Sequence, residues 1–149
     1  MAGARVTASI RLSVQIPAQP PEVWDELAAV ERHVEWMEDA ERIAFRSEQH
    51  SGLGTVMEVV TRVGPFRTTD VMVVDVWEEQ RRIGVTHRGL VTGRGVFTIE
   101  GAAEGTVVVW AEELRFPWYL GGAVTGAVAG PFLRRVWRRN LDRLAARLA

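Results

Sequence analysis

Cysteine is absent, and with it any disulfide framework, thiol nucleophile or thiolate-held metal. Lysine is absent too: all 18 basic residues are arginine, a bias we read as genome composition. Without a lysine, the glycine-rich stretch LGGAVTGAVAGPF (120–132) is no phosphate loop, because the GxxxxGK[ST] cradle requires one. Neither sign of charge dominates, since the formal net charge is −1, so nothing global draws the chain to nucleic acid or an acidic membrane. Histidine is scarce, at three residues, and no HExxH or two-His-carboxylate spacing occurs. No metal and no cofactor are therefore expected.

Long uncharged runs are nearly missing as well. Only Phe116 to Leu133 approaches spanning length, and Pro117, Pro131 and the glycines Gly122, Gly126 and Gly130 make it poor material for an isolated helix in lipid. The opening MAGARVTASIRLSVQIP is interrupted by Arg5 and Arg11, so it reads as a strand rather than a leader peptide. The expectation is one domain over residues 1–149, cytoplasmic, without stable membrane insertion, as a monomer or homodimer. A chain of this length buries roughly 70% of its unfolded surface, enough for one sizeable core.

What is present is a clear change of period. Val6 to Ile16 alternates apolar and polar residues and ends at Pro17, which predicts a strand with one buried face. AQPPEVWDELAAVERHVEWM switches to helical spacing with prolines at its start, giving one or two short helices. From Glu41 to Phe116 turn signals separate six strands: 42–48, 55–63, 66–77, 82–88, 92–100 and 106–116. Connections this short make neighbours antiparallel. Leu133, Val136, Trp137, Leu141, Leu144 and Leu148 then form the apolar face of a terminal helix, opposite Arg134, Arg135, Arg138, Arg139, Arg143 and Arg147. Its start is open between Leu120 and Pro131, because an internal proline would remove a hydrogen bond and bend the helix.

Several phrases in this order resemble the SRPBCC superfamily of START-domain, Bet v 1-like and polyketide cyclase/dehydrase proteins. They are IPAQPPEVWDELA with Trp36 in HVEWM, SGLGTVMEVV, VVDVWEEQRRIGV and the hairpin GVFTIEGAAEGTVVVWAEE. One departure is Gln80, where the family pattern has a proline before its R-basic-I link. The resemblance spans almost the whole chain and implies an α+β helix-grip fold. Such a fold has a curved seven-stranded antiparallel sheet wrapped around a long C-terminal helix, with two short helices between strands 1 and 2. It implies no particular reaction, because a fold hosts many functions.

Period two then selects the side chains facing the space between sheet and helix. Met57, Val59 and Thr61 point inward, as do Ile83, Val85 and His87, then Gly93, Gly95, Phe97 and Ile99, then Val108, Trp110, Glu112 and Leu114. The valine-rich strand 66–77 has no assignable register. Hairpin closure sets His87 opposite Gly93 and Glu112 opposite Gly95, which predicts an imidazole and a carboxylate roughly 10 Å apart over glycine. Such a pair suits proton transfer to a polarised ligand. It equally suits a half-solvated histidine and a glutamate paired with an arginine. Arg67 is a third catalytic candidate, as an oxyanion partner, against a phase that turns it outward if Met72 and Val74 face in. His33 and His50, beside charged neighbours, read as solvated. The resemblance places Trp36, Trp110 and Trp137 near the cavity, and an aromatic wall suits a flat, apolar ligand. Small residues over 120–131 read as a gate with Phe116, Trp118, Tyr119 and Phe132 as its apolar edge.

The expected function is binding of a small hydrophobic molecule, such as a lipid, quinone or polyketide-like aromatic. The alternatives are a cyclase, aromatase or dehydratase using acid-base residues in the same cavity, and an accessory protein docking through its arginine-rich helix.

Overall fold

The computed structural model describes residues 6–117 and 122–149. Strand β1 (Val6–Ile16) leads to helix α1 (Pro20–Ala28) and a 3-10 helix (Val30–Glu35). Six strands follow: β2 (Ala40–Phe45), β3 (Val56–Val63), β4 (Phe66–Glu78), β5 (Arg82–Arg88), β6 (Thr92–Ala102) and β7 (Gly105–Phe116). Helix α2 (Gly122–Arg147) closes the chain. The strands form one antiparallel sheet in the order β1-β7-β6-β5-β4-β3-β2. Consecutive strands β1 and β2 thus lie at opposite edges, and α1 with the 3-10 helix makes the crossing between them.

Local chemistry accounts for most boundaries. Helix α1 starts with prolines in its first turn, where a missing N–H costs nothing, and buries Val23, Trp24 and Leu27. The Trp24 ring meets Trp77 of β4 edge-on at 5.2 Å. β2 begins and ends earlier than its sequence suggests. Ala40 already pairs with Thr61, and the Ser47 hydroxyl, which accepts from Val56 N–H and donates to the Gln49 carbonyl, turns the chain away. The residue in the family's proline position, Gln80, has φ 62°. Proline is locked near φ −65°, so this left-handed turn excludes it.

Helix α2 begins at Gly122 and carries Pro131 within it, so the stretch 122–130 is helix rather than loop. The proposed gate residues Trp118, Tyr119, Leu120 and Gly121 lie outside the described residues. Val136, Trp137, Leu141 and Leu144 are buried. The arginine face turns back on the protein: Arg134 and Arg138 donate to the carbonyls of Arg11 and Ser13 on β1, Arg139 pairs with Glu38, and Arg147 pairs with Glu26 and Glu35. Arg143 donates to the Glu35 carbonyl. The feature that suggested partner docking is therefore largely engaged within the chain.

A second attachment is polar and buried. Asp39, just before β2, accepts from Trp137 Nε1 at 3.0 Å and from Asn140 Nδ2 at 2.7 Å, while Asn140 Oδ1 accepts from Glu38 N–H at 2.9 Å. The hydrophobic core itself is divided. One cluster joins α1, α2 and strands β1, β5, β6 and β7; a smaller one gathers Val30, Met57, Val59 and Val74.

Candidate functional site

Between the two clusters lies a cavity of about 930 Å³, lined by residues of both. Ligand cavities typically measure about 300–1,000 Å³, so an organic molecule fits. The walls are mostly apolar. Met57, Val59, Val85, Phe97, Trp110, Phe132 and Trp137 are among the lining residues. The Trp110 ring stacks on Trp137 of α2 at 4.9 Å and 24°, and on its other flank meets Phe97 at 5.0 Å. These three rings make a continuous aromatic wall running from the sheet to the helix. Leu90 and Phe132 also line the cavity and are exposed, at 41% and 46%, so they mark its mouth.

The strand register places His87 opposite Gly93 and Gly95 opposite Glu112. The side chains, however, do not stay two strand spacings apart. His87 Nε2 donates to Glu112 Oε2 at 3.0 Å, and Trp110 Nε1 donates to Oε1 at 3.2 Å. The expected open gap over glycine is thus closed by the carboxylate itself. Gly95 makes this possible, because a Cβ there would collide with Glu112 Oε1. Both partners line the cavity and are largely buried, their side chains 11% and 7% exposed.

A second acid belongs to the same patch. Asp70 of β4 is opposite Gly89, and a Cβ on Gly89 would collide with Asp70 Oδ1. Asp70 Oδ2 accepts from the Thr68 hydroxyl at 3.2 Å, while its buried Oδ1 has no hydrogen-bond partner. Burial opposes protonation of His87. The Glu112 hydrogen bond and the charges of Glu112 and Asp70 outweigh burial, so its pKa stands above 6.5. Asp70 was not legible because β4 carries valines on both faces; in the structure Asp70 and Met72 line the cavity.

His33 is a correction. It is 7% exposed and lines the cavity, where its expected position was a solvated surface. Its Nε2 donates to the Leu27 carbonyl at 2.8 Å, and its ring packs on Trp36 and Phe97. Burial lowers its pKa to about 4, and the Leu27 hydrogen bond and the charges of Glu26 and Glu31 offset only part of that. Trp36 also departs from expectation. It is fully buried and absent from the cavity lining, packed behind His33 and Phe97. Arg67 reaches the lining but is bound to Glu41 at 2.9 Å, with its side chain 62% exposed. His50 is exposed and stacks on Phe45 at 4.0 Å. Trp118 lies outside the described residues.

A curved antiparallel sheet closed by a long terminal helix, with an apolar cavity between them, defines a helix-grip fold. The chain belongs to the polyketide cyclase / dehydrase and lipid transport family, whose model matches residues 7–149. Its fold is similar to TTHA0849 from Thermus thermophilus (TM-score 0.80, 16% identity, covering 95% of this chain and 96% of that one). It is also similar to the Zhui aromatase/cyclase from Streptomyces sp. R1128 (TM-score 0.73, 17% identity, 95% and 93% covered). A further likeness is to the di-domain ARO/CYC StfQ from the steffimycin biosynthetic pathway (TM-score 0.75, 15% identity), where 95% of this chain matches 50% of that one. No curated protein shows significant sequence similarity to the chain. Among the described residues no helix is long and apolar enough to cross a membrane, and no group of three or more His, Asp or Glu forms a metal-ligand set.

Proposed function

We propose that the protein binds a small, flat hydrophobic molecule of the lipid, quinone or polyketide-like aromatic kind inside the cavity. The observation that carries this reading is the divided core. About 930 Å³ between the two clusters is left unfilled and is walled by Trp110, Trp137 and Phe97. A domain with no use for that space would gain dispersion contacts by filling it. Native mass spectrometry of gently purified protein tests the reading. A bound organic mass that is lost in Trp110→Ala is the expected result. A wild-type protein that neither retains nor takes up any apolar aromatic molecule rules it out.

The His87–Glu112 hydrogen bond favours a second reading, an enzyme of the cyclase, aromatase or dehydratase kind. Paired with Glu112, His87 could remove a proton next to a ligand carbonyl and return one to an oxygen, the acid-base work that ring closure or loss of water requires. The aromatase/cyclase structures of the same fold are compatible with it. Two substitutions separate the readings. In an enzyme, His87→Ala or Glu112→Gln abolishes turnover while the ligand still binds; in a carrier, both change affinity alone.

A further inference from the structure

The polar atoms of the cavity are unevenly divided between donors and acceptors. Three carboxylates line it, those of Asp39, Asp70 and Glu112. The oxygens of Asp39 are taken up by Trp137 and Asn140, and those of Glu112 by Trp110 and His87. Asp70 keeps one oxygen without a donor although the residue is only 7% exposed. That oxygen is packed against Gly89, whereas Oδ2, which accepts from Thr68, retains lone pairs for a further donor. His33 adds a further acceptor. A carbonyl can only accept, so Nε2 carries the ring hydrogen toward Leu27, and in the neutral ring Nδ1 holds a bare lone pair. Against these stand few donors. Arg67 is committed to Glu41 at the exposed edge, the Thr68 hydroxyl is given to Asp70 and the His87 Nε2 hydrogen to Glu112, which leaves the Thr61 hydroxyl and, when the ring is protonated, His87 Nδ1–H. The His87 charge balances one of the three acids at most.

Resting on the small-molecule reading above, we propose that the cavity selects ligands whose polar end is a hydrogen-bond donor and is not anionic. A hydroxyl, phenol or ammonium group that meets Asp70 is the chemistry that fits. A free carboxylate or phosphate end would enter a low-dielectric space already holding excess negative charge, where repulsion is screened least. Asp70 is the particular acceptor that such a donor meets, because the hydrogen bond its carboxylate receives comes from a neutral donor, the Thr68 hydroxyl, while its other oxygen is packed against Gly89.

The test uses three probes on one flat ring system: pyrenemethanol, pyrenemethylamine and pyrenecarboxylic acid, titrated near neutral pH by fluorescence anisotropy. The alcohol and the amine are expected to bind at least tenfold more tightly than the acid. Asp70→Asn, which replaces one acceptor oxygen with an N–H donor and removes the charge, is expected to shrink the amine-to-acid ratio at least tenfold. Asp70→Ser, which removes the same charge with a smaller side chain, is the second variant, should Asp70→Asn fold poorly, and is expected to shrink it in the same direction. An acid that binds as well as the alcohol, or a ratio unmoved in both folded variants, overturns the selectivity. Failure of all three probes on the wild-type chain overturns the small-molecule reading instead, so the two failures are distinguishable.

Discussion

His33 shows how much a single ring can weigh. The unfolded chain takes up this proton near the ordinary value of 6.5, whereas the folded ring resists it until about 4. The stabilisation is therefore complete above 6.5 and is lost as pH falls through that window. At 1.36 kcal/mol per pH unit the loss amounts to roughly 3 kcal/mol once the lower value is passed. Urea melts at neutral pH and near pH 4 are expected to show that much more acid destabilisation in wild type than in His33→Gln, whose amide does not titrate in this range. Equal acid sensitivity in the two proteins would contradict the burial described here. His87 has the opposite sign. Its pKa is raised, so its contribution is present below 6.5 and fades as pH rises above the folded value.

At the level of elements, α2 is tied to the rest of the protein by a hydrogen-bonded group as well as by packing. Asn140 is fully buried, and it joins the Glu38 N–H to the Asp39 carboxylate. Asn140→Leu keeps the branched skeleton, at a larger volume, while leaving Asp39 with Trp137 Nε1 as its remaining side-chain donor. Bonds to a charged group contribute about 1.5–3 kcal/mol, and an orphaned buried charge costs more than a neutral orphan. A loss of about 2–4 kcal/mol in chemical denaturation is the expected outcome. Near-neutrality would mean that the helix is held by its apolar face alone. Because Asp39 and Trp137 also line the cavity, the same variant is expected to weaken ligand retention.

For the whole molecule, the sheet was legible because its rules are short-range. Alternation assigns faces, and tight hairpins fix register, which is why His87–Gly93 and Glu112–Gly95 could be paired from the chain alone. What escaped depends on packing beyond the pairing. His33 lies in a 3-10 helix, whose three residues per turn do not follow the helical period used to assign faces. Asp70 lies on a strand with valines on both sides. That His87 and Glu112 meet is a matter of rotamers over Gly95, and Trp36 lies one layer too deep, behind residues that themselves form the wall.

Helix α2 bears on one more property of the molecule, its behaviour toward other chains. A border strand normally offers bare carbonyls as a template on which a foreign strand can grow into a fibre. On β1 the carbonyls of Arg11 and Ser13 are occupied by the guanidinium groups of Arg134 and Arg138. Removing both, in Arg134→Ala/Arg138→Ala, is expected to leave the protein folded but to shorten the lag of thioflavin-positive aggregation on agitation; an unchanged lag would show that these cations do not guard the border. The helix that roofs the cavity would thus also keep the sheet from being extended by its neighbours.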